Sequence, residues 1–119
     1  LMQERSEYNV SIEEIHHTQK KDAPSGTAIT IAEEILENIK SKKNWTSGTS
    51  SNPEEIQIIS KRIDPAPGTH MVTYDSSIDS IEIKHTAHNR IGFASGAVLA
   101  AEFLKGKKGI FSMKEVLGM

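Results

Sequence analysis

Hydrophobic and polar residues alternate over residues 8–15, where Tyr8, Val10 and Ile12 recur at every second position. This period of two is typical of a β-strand with one buried face. Residues 16–25 follow as a polar connection that contains an Asp and a Pro. The pattern therefore predicts one strand near the start of the chain, followed by a loop.

From Thr27 to about Lys40 the period lengthens to that of an amphipathic helix. The apolar stripe recurs at i, i+3, i+4, i+7, i+8 and i+11 and consists of Ala28, Ile31, Ala32, Ile35, Leu36 and Ile39. Residues 41–53 are rich in Ser, Thr, Asn and Lys and predict a loop. The first half of the chain thus predicts one strand and one helix.

Three further strands are predicted at about residues 55–63, 70–75 and 80–86. A helix rich in Ala and Leu is predicted from about Phe93 to Lys105. It is followed by Gly106, a typical helix stop.

Ser112 and Glu115 have the spacing of a capping box and predict a third, short helix. The predicted order is β-α-β-β-β-α-α, which favours an α+β fold with a mixed, mostly antiparallel four-stranded sheet backed by helices. We expect two segments, with residues 1–90 forming the sheet domain and residues 91–119 forming C-terminal helices.

The composition excludes several classes of protein. The 119 residues have a net charge of −2, which argues against a nucleic-acid binder, and they include no cysteine that could form a disulfide or act as a nucleophile. No apolar run approaches the length of a membrane span. We expect a soluble, cytoplasmic protein. The chain opens without an initiator Met and closes in an apparently unfinished element, which predicts a fragment of a longer protein.

Residues 16–27 carry the densest cluster of reactive side chains. Two imidazoles and two ammonium groups fall within six residues, at His16, His17, Lys20 and Lys21. A Ser-Gly-Thr sequence then opens the helix, whose N-terminus offers unpaired N–H groups to an anion. Since the first helical turn has no acidic residue and no reciprocal capping box, the pattern favours an external carboxylate or phosphate over self-capping.

The simpler interpretations remain open. Ser25 can be an ordinary N-cap, and the histidine pair can be a surface feature. In a regular strand His16 and His17 would point to opposite faces, so both can serve one pocket only if the strand ends there. His70, His85 and His88 match no strong zinc signature, so we expect no metal site.

Two blocks of residues resemble one enzyme family, the 4-hydroxy-tetrahydrodipicolinate (dihydrodipicolinate) reductases. The first block reads Glu14-Ile15-His16-His17-x-x-Lys20-x-Asp22-Ala23-Pro24-Ser25-Gly26-Thr27-Ala28. The second reads Arg62, Gly68 and His70, then His85-Thr86-Ala87-x-x-Arg90-x-x-Phe93-Ala94-x-Gly96-Ala97. The resemblance covers essentially all of residues 8–117.

The resemblance implies a two-part enzyme of lysine (diaminopimelate) biosynthesis. In the family a Rossmann domain binds NADH or NADPH, and a C-terminal domain binds a cyclic dicarboxylate and forms a tetramer through its sheet. This chain lacks any G-x-G-x-x-G turn, so the resemblance implies that the fragment binds no coenzyme and is inactive alone. The helix at residues 93–105 and the tail would return to the absent domain.

By motif position, His16 resembles the proton donor and acceptor of the family and Lys20 resembles its proton donor. His17, Ser25, Gly26 and Thr27 resemble the substrate-binding residues. Two alternatives of other classes remain: a non-enzymatic module of the same fold that binds dicarboxylates or assembles oligomers, and a phosphate-binding regulator that rests on the Ser-Gly-Thr helix start alone.

Overall fold

A computed structural model describes all 119 residues. Five strands and three helices follow in the order β1 (Asn9–His16), α1 (Gly26–Asn38), β2 (Asn44–Ser47), β3 (Glu55–Arg62), β4 (Gly68–Asp75), β5 (Ser80–Ala87), α2 (Ile91–Leu104) and α3 (Met113–Leu117). The chain divides into two compact units, Leu1–His88 and Asn89–Met119. Each unit is described by itself.

The first unit is a five-stranded mixed sheet with strand order β2-β3-β1-β4-β5. β1 and β2 both pair with β3 in parallel, whereas β4 pairs with β1 and with β5 in antiparallel fashion. The predicted α+β architecture is confirmed.

The sheet has one strand more than the four predicted, because β2 lies inside residues 41–53, where the sequence predicted only a loop. Trp45 pairs with Ile56, and four residues in all pair with β3. The segment is too short and too rich in polar residues to show an alternating pattern, so its pairing depends on the neighbouring strand rather than on its own sequence.

The core lies between α1 and one face of the sheet. Its buried members are Val10, Ile12, Ala28, Ala32, Ile35, Ile56 and Ile58. They come from the predicted stripe of α1 and from alternate positions of β1 and β3. The helical and the strand patterns predicted from the sequence therefore bury their apolar residues in one layer. The opposite face of the sheet carries polar and apolar residues together, including an ion pair between Glu13 of β1 and Lys61 of β3 at 2.5 Å.

The second unit contains α2 and α3. α2 begins at Ile91, two residues before the predicted start, and Gly106 follows it with a positive φ of 77°. α3 has the predicted capping box between Ser112 and Glu115. Several large apolar side chains of α2 are exposed, namely Ile91, Phe93, Val98, Leu99 and Leu104. None of the helices combines the length and the apolar character that crossing a membrane requires.

Candidate functional site

The reactive residues gather at one edge of the sheet. β1 and β3 run in parallel and end side by side, with His16 opposite Arg62. β4 runs in the other direction and therefore begins at the same edge, so that His70 lies opposite Glu14. The helix α1 also begins there, after its N-cap Ser25. The fold thus brings four elements together around one small region.

A buried carboxylate lies at the base of this region. Glu14 occupies the helix-facing side of β1, where Val10 and Ile12 form the core, and its side chain is 0% exposed. Arg62 binds it with both guanidinium arms, from Nη1 to Oε2 at 3.0 Å and from Nη2 to Oε1 at 2.9 Å. This bidentate geometry is the strongest pairing available to a carboxylate in a protein.

Two more donors complete the shell of Glu14. The backbone N–H of Ser25 donates to Oε1 at 3.3 Å, and His16 Nδ1 is hydrogen-bonded to Oε2. Burial by itself would raise the pKa of Glu14, but the polar groups around the carboxylate, first Arg62 and then Ser60 and His16, outweigh it and hold the pKa below its usual value. Glu14 is therefore a carboxylate anion at neutral pH.

Arg62 also connects this anion to the loop between β1 and α1. Its Nη2 donates to the backbone carbonyl of Asp22 at 2.7 Å, and its Nη1 donates to the carbonyl of Lys61 at 2.7 Å. One guanidinium thus holds together the last residues of β3, the last residues of β1 and the loop that carries the lysine of the motif.

His16 is the last residue of β1 and is 9% exposed. Its ring meets the ring of His70 edge to face, with centroids 5.1 Å apart. With Nδ1 bonded to Glu14, the imidazole is fixed on two sides.

Ser25 acts as the N-cap of its own helix. Its Oγ accepts a hydrogen bond from the backbone N–H of Ala28 at 3.2 Å and lies 2.9 Å from His70 Nε2. The helix start is therefore self-capped, which the sequence pattern did not favour, because a single Oγ contact to N3 caps the helix without a capping box. The backbone N–H groups of Gly26 and Thr27, in contrast, have no acceptor within the protein.

Lys20 lies in the loop after β1, close to the buried network. Its Nζ donates to both carboxylate oxygens of Asp22 at 2.8 Å, and its side chain is 22% exposed. The hydrogen bond from Lys20 is the main cause that lowers the pKa of Asp22. The ammonium group therefore already has a carboxylate partner.

The remaining predicted site residues lie at the rim. His17 follows the end of β1 and makes no side-chain hydrogen bond. The next residue, Thr18, donates from its N–H and its Oγ1 to Asp64, at 2.9 and 2.6 Å, which anchors this loop to the turn after β3. Gly26 and Thr27 are both exposed at the first turn of α1.

His70 is half-buried beside this network. Burial is the main cause that lowers its pKa below 6.5, and the neighbouring His16 adds to the effect. A neutral imidazole therefore faces Ser25 at neutral pH.

Sequence reasoning assigned no role to Glu14, Arg62, His70, Asp22 or Asp64. The signal for Glu14 was present, since a carboxylate continues the apolar positions of β1 at period two. A charged residue on a buried strand face needs a paired partner, but the sequence alone does not say that Arg62 supplies it.

The structure contains no group of three or more residues that could hold a metal ion. In a Rossmann fold a dinucleotide coenzyme binds at the turn between the first strand and the first helix. The corresponding segment of this chain is the connection from β1 to α1. It spans residues 17–25 and leads into a Ser-Gly-Thr start instead of a tight glycine-rich turn. This connection therefore lacks the glycine-rich turn of a Rossmann coenzyme site.

Comparison with known proteins gives consistent results. Residues 1–117 match the family described as "Dihydrodipicolinate reductase, C-terminus". A protein named 4-hydroxy-tetrahydrodipicolinate reductase from Christiangramia forsetii is 58% identical over 117 residues, which are 98% of this chain and 48% of that protein. The protein of the same name from Methanosarcina barkeri is 43% identical, over 96% of this chain and 44% of that protein.

A solved structure is also similar. It is described as a dipicolinate-bound dihydrodipicolinate reductase from Paenisporosarcina sp. TG-14, with a TM-score of 0.61 and 28% identity over 79% of this chain and 39% of that one. The chain spans about half the length of the curated relatives that it matches. It therefore belongs to the dihydrodipicolinate reductase family and corresponds to the C-terminal part of those proteins.

Proposed function

We propose that this chain is the substrate-binding and catalytic part of a cytoplasmic oxidoreductase of lysine (diaminopimelate) biosynthesis. The full enzyme would convert 4-hydroxy-tetrahydrodipicolinate to tetrahydrodipicolinate with NADH or NADPH. The observation that carries the proposal is the meeting of His16, Lys20 and the open start of α1 at one sheet edge, in a chain that belongs to this family.

The chemistry of this edge suits a substrate with two carboxylates. The free N–H groups of Gly26 and Thr27 point out of a helix N-terminus, where the helix dipole favours negative charge. Lys20 and His17 supply further donors in the adjoining loop. We assign substrate binding to His17, Ser25, Gly26 and Thr27, with Ser25 acting through the helix start that it caps rather than through a free hydroxyl.

We assign proton transfer to His16 and Lys20. Reduction by hydride builds electron density on the substrate, and a proton must reach it. An imidazole and an ammonium group are suitable acids near neutral pH. His16 is held at the end of β1 by its hydrogen bond to Glu14, whereas Lys20 lies in the loop that follows and is partly exposed.

The coenzyme would be held by the half of the enzyme that this chain does not contain. We therefore propose that the chain alone does not turn over substrate. We further propose that residues 91–119 return to that half. The exposed apolar side chains of α2 support this proposal, because an apolar helix face is stabilised when another surface covers it.

The substrate assignment is tested by calorimetric titration of the chain with pyridine-2,6-dicarboxylate. Replacing Lys20 by Ala removes one charged donor, and a hydrogen bond between charged groups contributes about 1.5–3 kcal/mol. We expect Lys20→Ala to bind about 10- to 100-fold more weakly than the wild type.

Lys21→Ala is the matched control, because Lys21 is the exposed neighbour with no partner in the structure. We expect it to bind like the wild type. Equal losses in the two variants would indicate unspecific attraction of an anion. Binding of phosphate with no preference for the dicarboxylate would favour the anion-binding alternative instead.

A further inference from the structure

Glu14 has no role in the chemistry assigned so far, yet it is the most completely buried ionisable side chain of the site. Burying a carboxylate is costly unless several donors surround it. The donors are Arg62, Ser25 and His16, and together they occupy both carboxylate oxygens. The side chain cannot rotate without losing at least one of these bonds.

The ionised state of Glu14 determines which nitrogen of His16 carries hydrogen. A carboxylate anion only accepts hydrogen bonds, so the nitrogen that faces it must be protonated. This nitrogen is Nδ1. The neutral imidazole then has its lone pair on Nε2, and the imidazolium has its exchangeable proton there.

We propose that Glu14 is a positioning residue for the proton chemistry of His16. Its carboxylate, itself fixed by Arg62, locks the imidazole as the Nδ1–H tautomer and leaves Nε2 as the atom that gives and takes the proton. The inference rests on the proposed function, in which His16 transfers a proton.

A purely structural role would need only the pair with Arg62. The arrangement contains more than that pair, because Oε2 is shared between Arg62 Nη1 and His16 Nδ1. The adjacent Glu13 shows the contrast. It lies on the opposite face of β1, where it pairs with Lys61 and contacts no histidine.

The test is the tautomer of His16, read from the nitrogen chemical shifts of its imidazole in a ¹⁵N-labelled sample of the chain. Spectra are recorded at increasing alkaline pH until the nitrogen shifts no longer change, so that the neutral imidazole is the form observed. His16→Asn identifies the signals by their loss. We expect wild-type His16 to be the Nδ1–H tautomer.

Glu14→Gln is the decisive variant, because an amide can donate to Nδ1 as well as accept from it. We expect the ratio of Nδ1–H to Nε2–H to fall about tenfold. Glu13→Gln is the matched control and should leave the ratio unchanged. A predominantly Nε2–H tautomer in the wild type overturns the proposal, as does an unchanged ratio in Glu14→Gln.

If Glu14→Gln fails to fold, the wild-type spectrum alone still tests the proposal, because an Nε2–H tautomer of His16 in the wild type contradicts it. The titration with pyridine-2,6-dicarboxylate separates this inference from the proposed function. A locked Nδ1–H tautomer in a chain that does not bind the dicarboxylate would support the positioning role of Glu14 and contradict the substrate assignment.

Discussion

Gly26 begins α1 with no protein atom within 4 Å of the place where a side chain would lie. A methyl group there costs the folded protein no clash, but it occupies space that a ligand at the helix N-terminus would need. We expect Gly26→Ala to weaken binding of pyridine-2,6-dicarboxylate by about tenfold, or about 1.4 kcal/mol, and not to lower the free energy of unfolding.

Gly92→Ala provides the control for this substitution. Gly92 lies in the first turn of α2, also with open space around it, and is not among the residues that form the site. Calorimetry and urea unfolding on both variants separate ligand binding from helix propensity. Unchanged affinity in Gly26→Ala would contradict ligand contact at the helix start.

The lowered pKa of His70 predicts a loss of stability in mild acid. In the unfolded chain the imidazole takes up a proton near pH 6.5, whereas burial keeps it neutral to a lower pH in the folded protein. The stabilising contribution is complete above pH 6.5. It is lost as the pH falls from 6.5 towards the folded pKa and does not change further below that.

Replacing His70 by Gln removes this titration. Urea unfolding from about pH 7.5 to pH 5 should show a smaller loss of stability in the variant than in the wild type. The charged and titratable groups around His70 are Glu14 and His16 of β1, His85 of β5 and Lys20 of the loop, and all remain in the variant. Parallel pH dependence of the two proteins would refute the assignment to His70.

The residue scale also shows what the sequence could and could not predict. The sequence predicts that His16, Lys20 and Gly26 belong to one site, because reactive residues cluster within one short segment. It does not predict the pairing of Arg62 with Glu14, because the two residues are far apart along the chain and only the parallel pairing of β1 and β3 brings them together. Contacts of this kind depend on register, which a single sequence does not contain.

Among the elements, the strong periods of α1, β1 and β3 were predictable, whereas β2 was not. Lys42 lies just before β2 and is only 5% exposed although it is a lysine. The Nζ of Lys42 donates to Asn9 Oδ1 at 2.5 Å and to the carbonyl of Pro53 at 2.7 Å. Lys42 precedes β2 and Pro53 follows it, so the ammonium group connects the start of β1 with the segments before and after β2.

Removing this ammonium group should destabilise the sheet edge. Lys42→Met keeps the aliphatic stem but removes the hydrogen bonds that the ammonium group donates to Asn9 Oδ1 and to the carbonyls of Pro53 and Glu55, which costs about 1–3 kcal/mol in unfolding free energy. Lys43→Met is the control, because Lys43 is exposed and its Nζ contacts only the carbonyl of Lys40. Urea denaturation of the two variants measures the difference. Equal stabilities would mean that Lys42 does not hold the loop.

For the whole molecule, we propose a homotetramer formed through the open face of the sheet, opposite α1. This face carries polar and apolar residues together, and Ile59 of β3 lies near its centre beside Glu13 of β1. Ile59 is half-buried in the single chain, so covering the rest of its side chain in an assembly contributes about 1 kcal/mol at each copy. Because this contribution is repeated in every copy of the tetramer, a substitution of Ile59 should weaken the assembly strongly.

Sedimentation velocity tests the assembly. We expect a tetramer for the wild type and smaller species for Ile59→Lys. Ile78→Lys is the control, because Ile78 is highly exposed in the turn between β4 and β5, away from the open face. A monomeric wild type would contradict assembly by this chain alone.

The ion pair between Lys20 and Asp22 has a consequence for the effect of salt. Two of the three N–H groups of Lys20 already bind the carboxylate of Asp22, so a ligand carboxylate that reaches the third meets an ammonium group whose charge is largely neutralised. The ligand then shares one cation with Asp22 instead of pairing with a free one. Dissolved ions weaken both pairs in a similar way. Affinity for a dicarboxylate should therefore depend less on ionic strength than the number of positive charges around the site suggests.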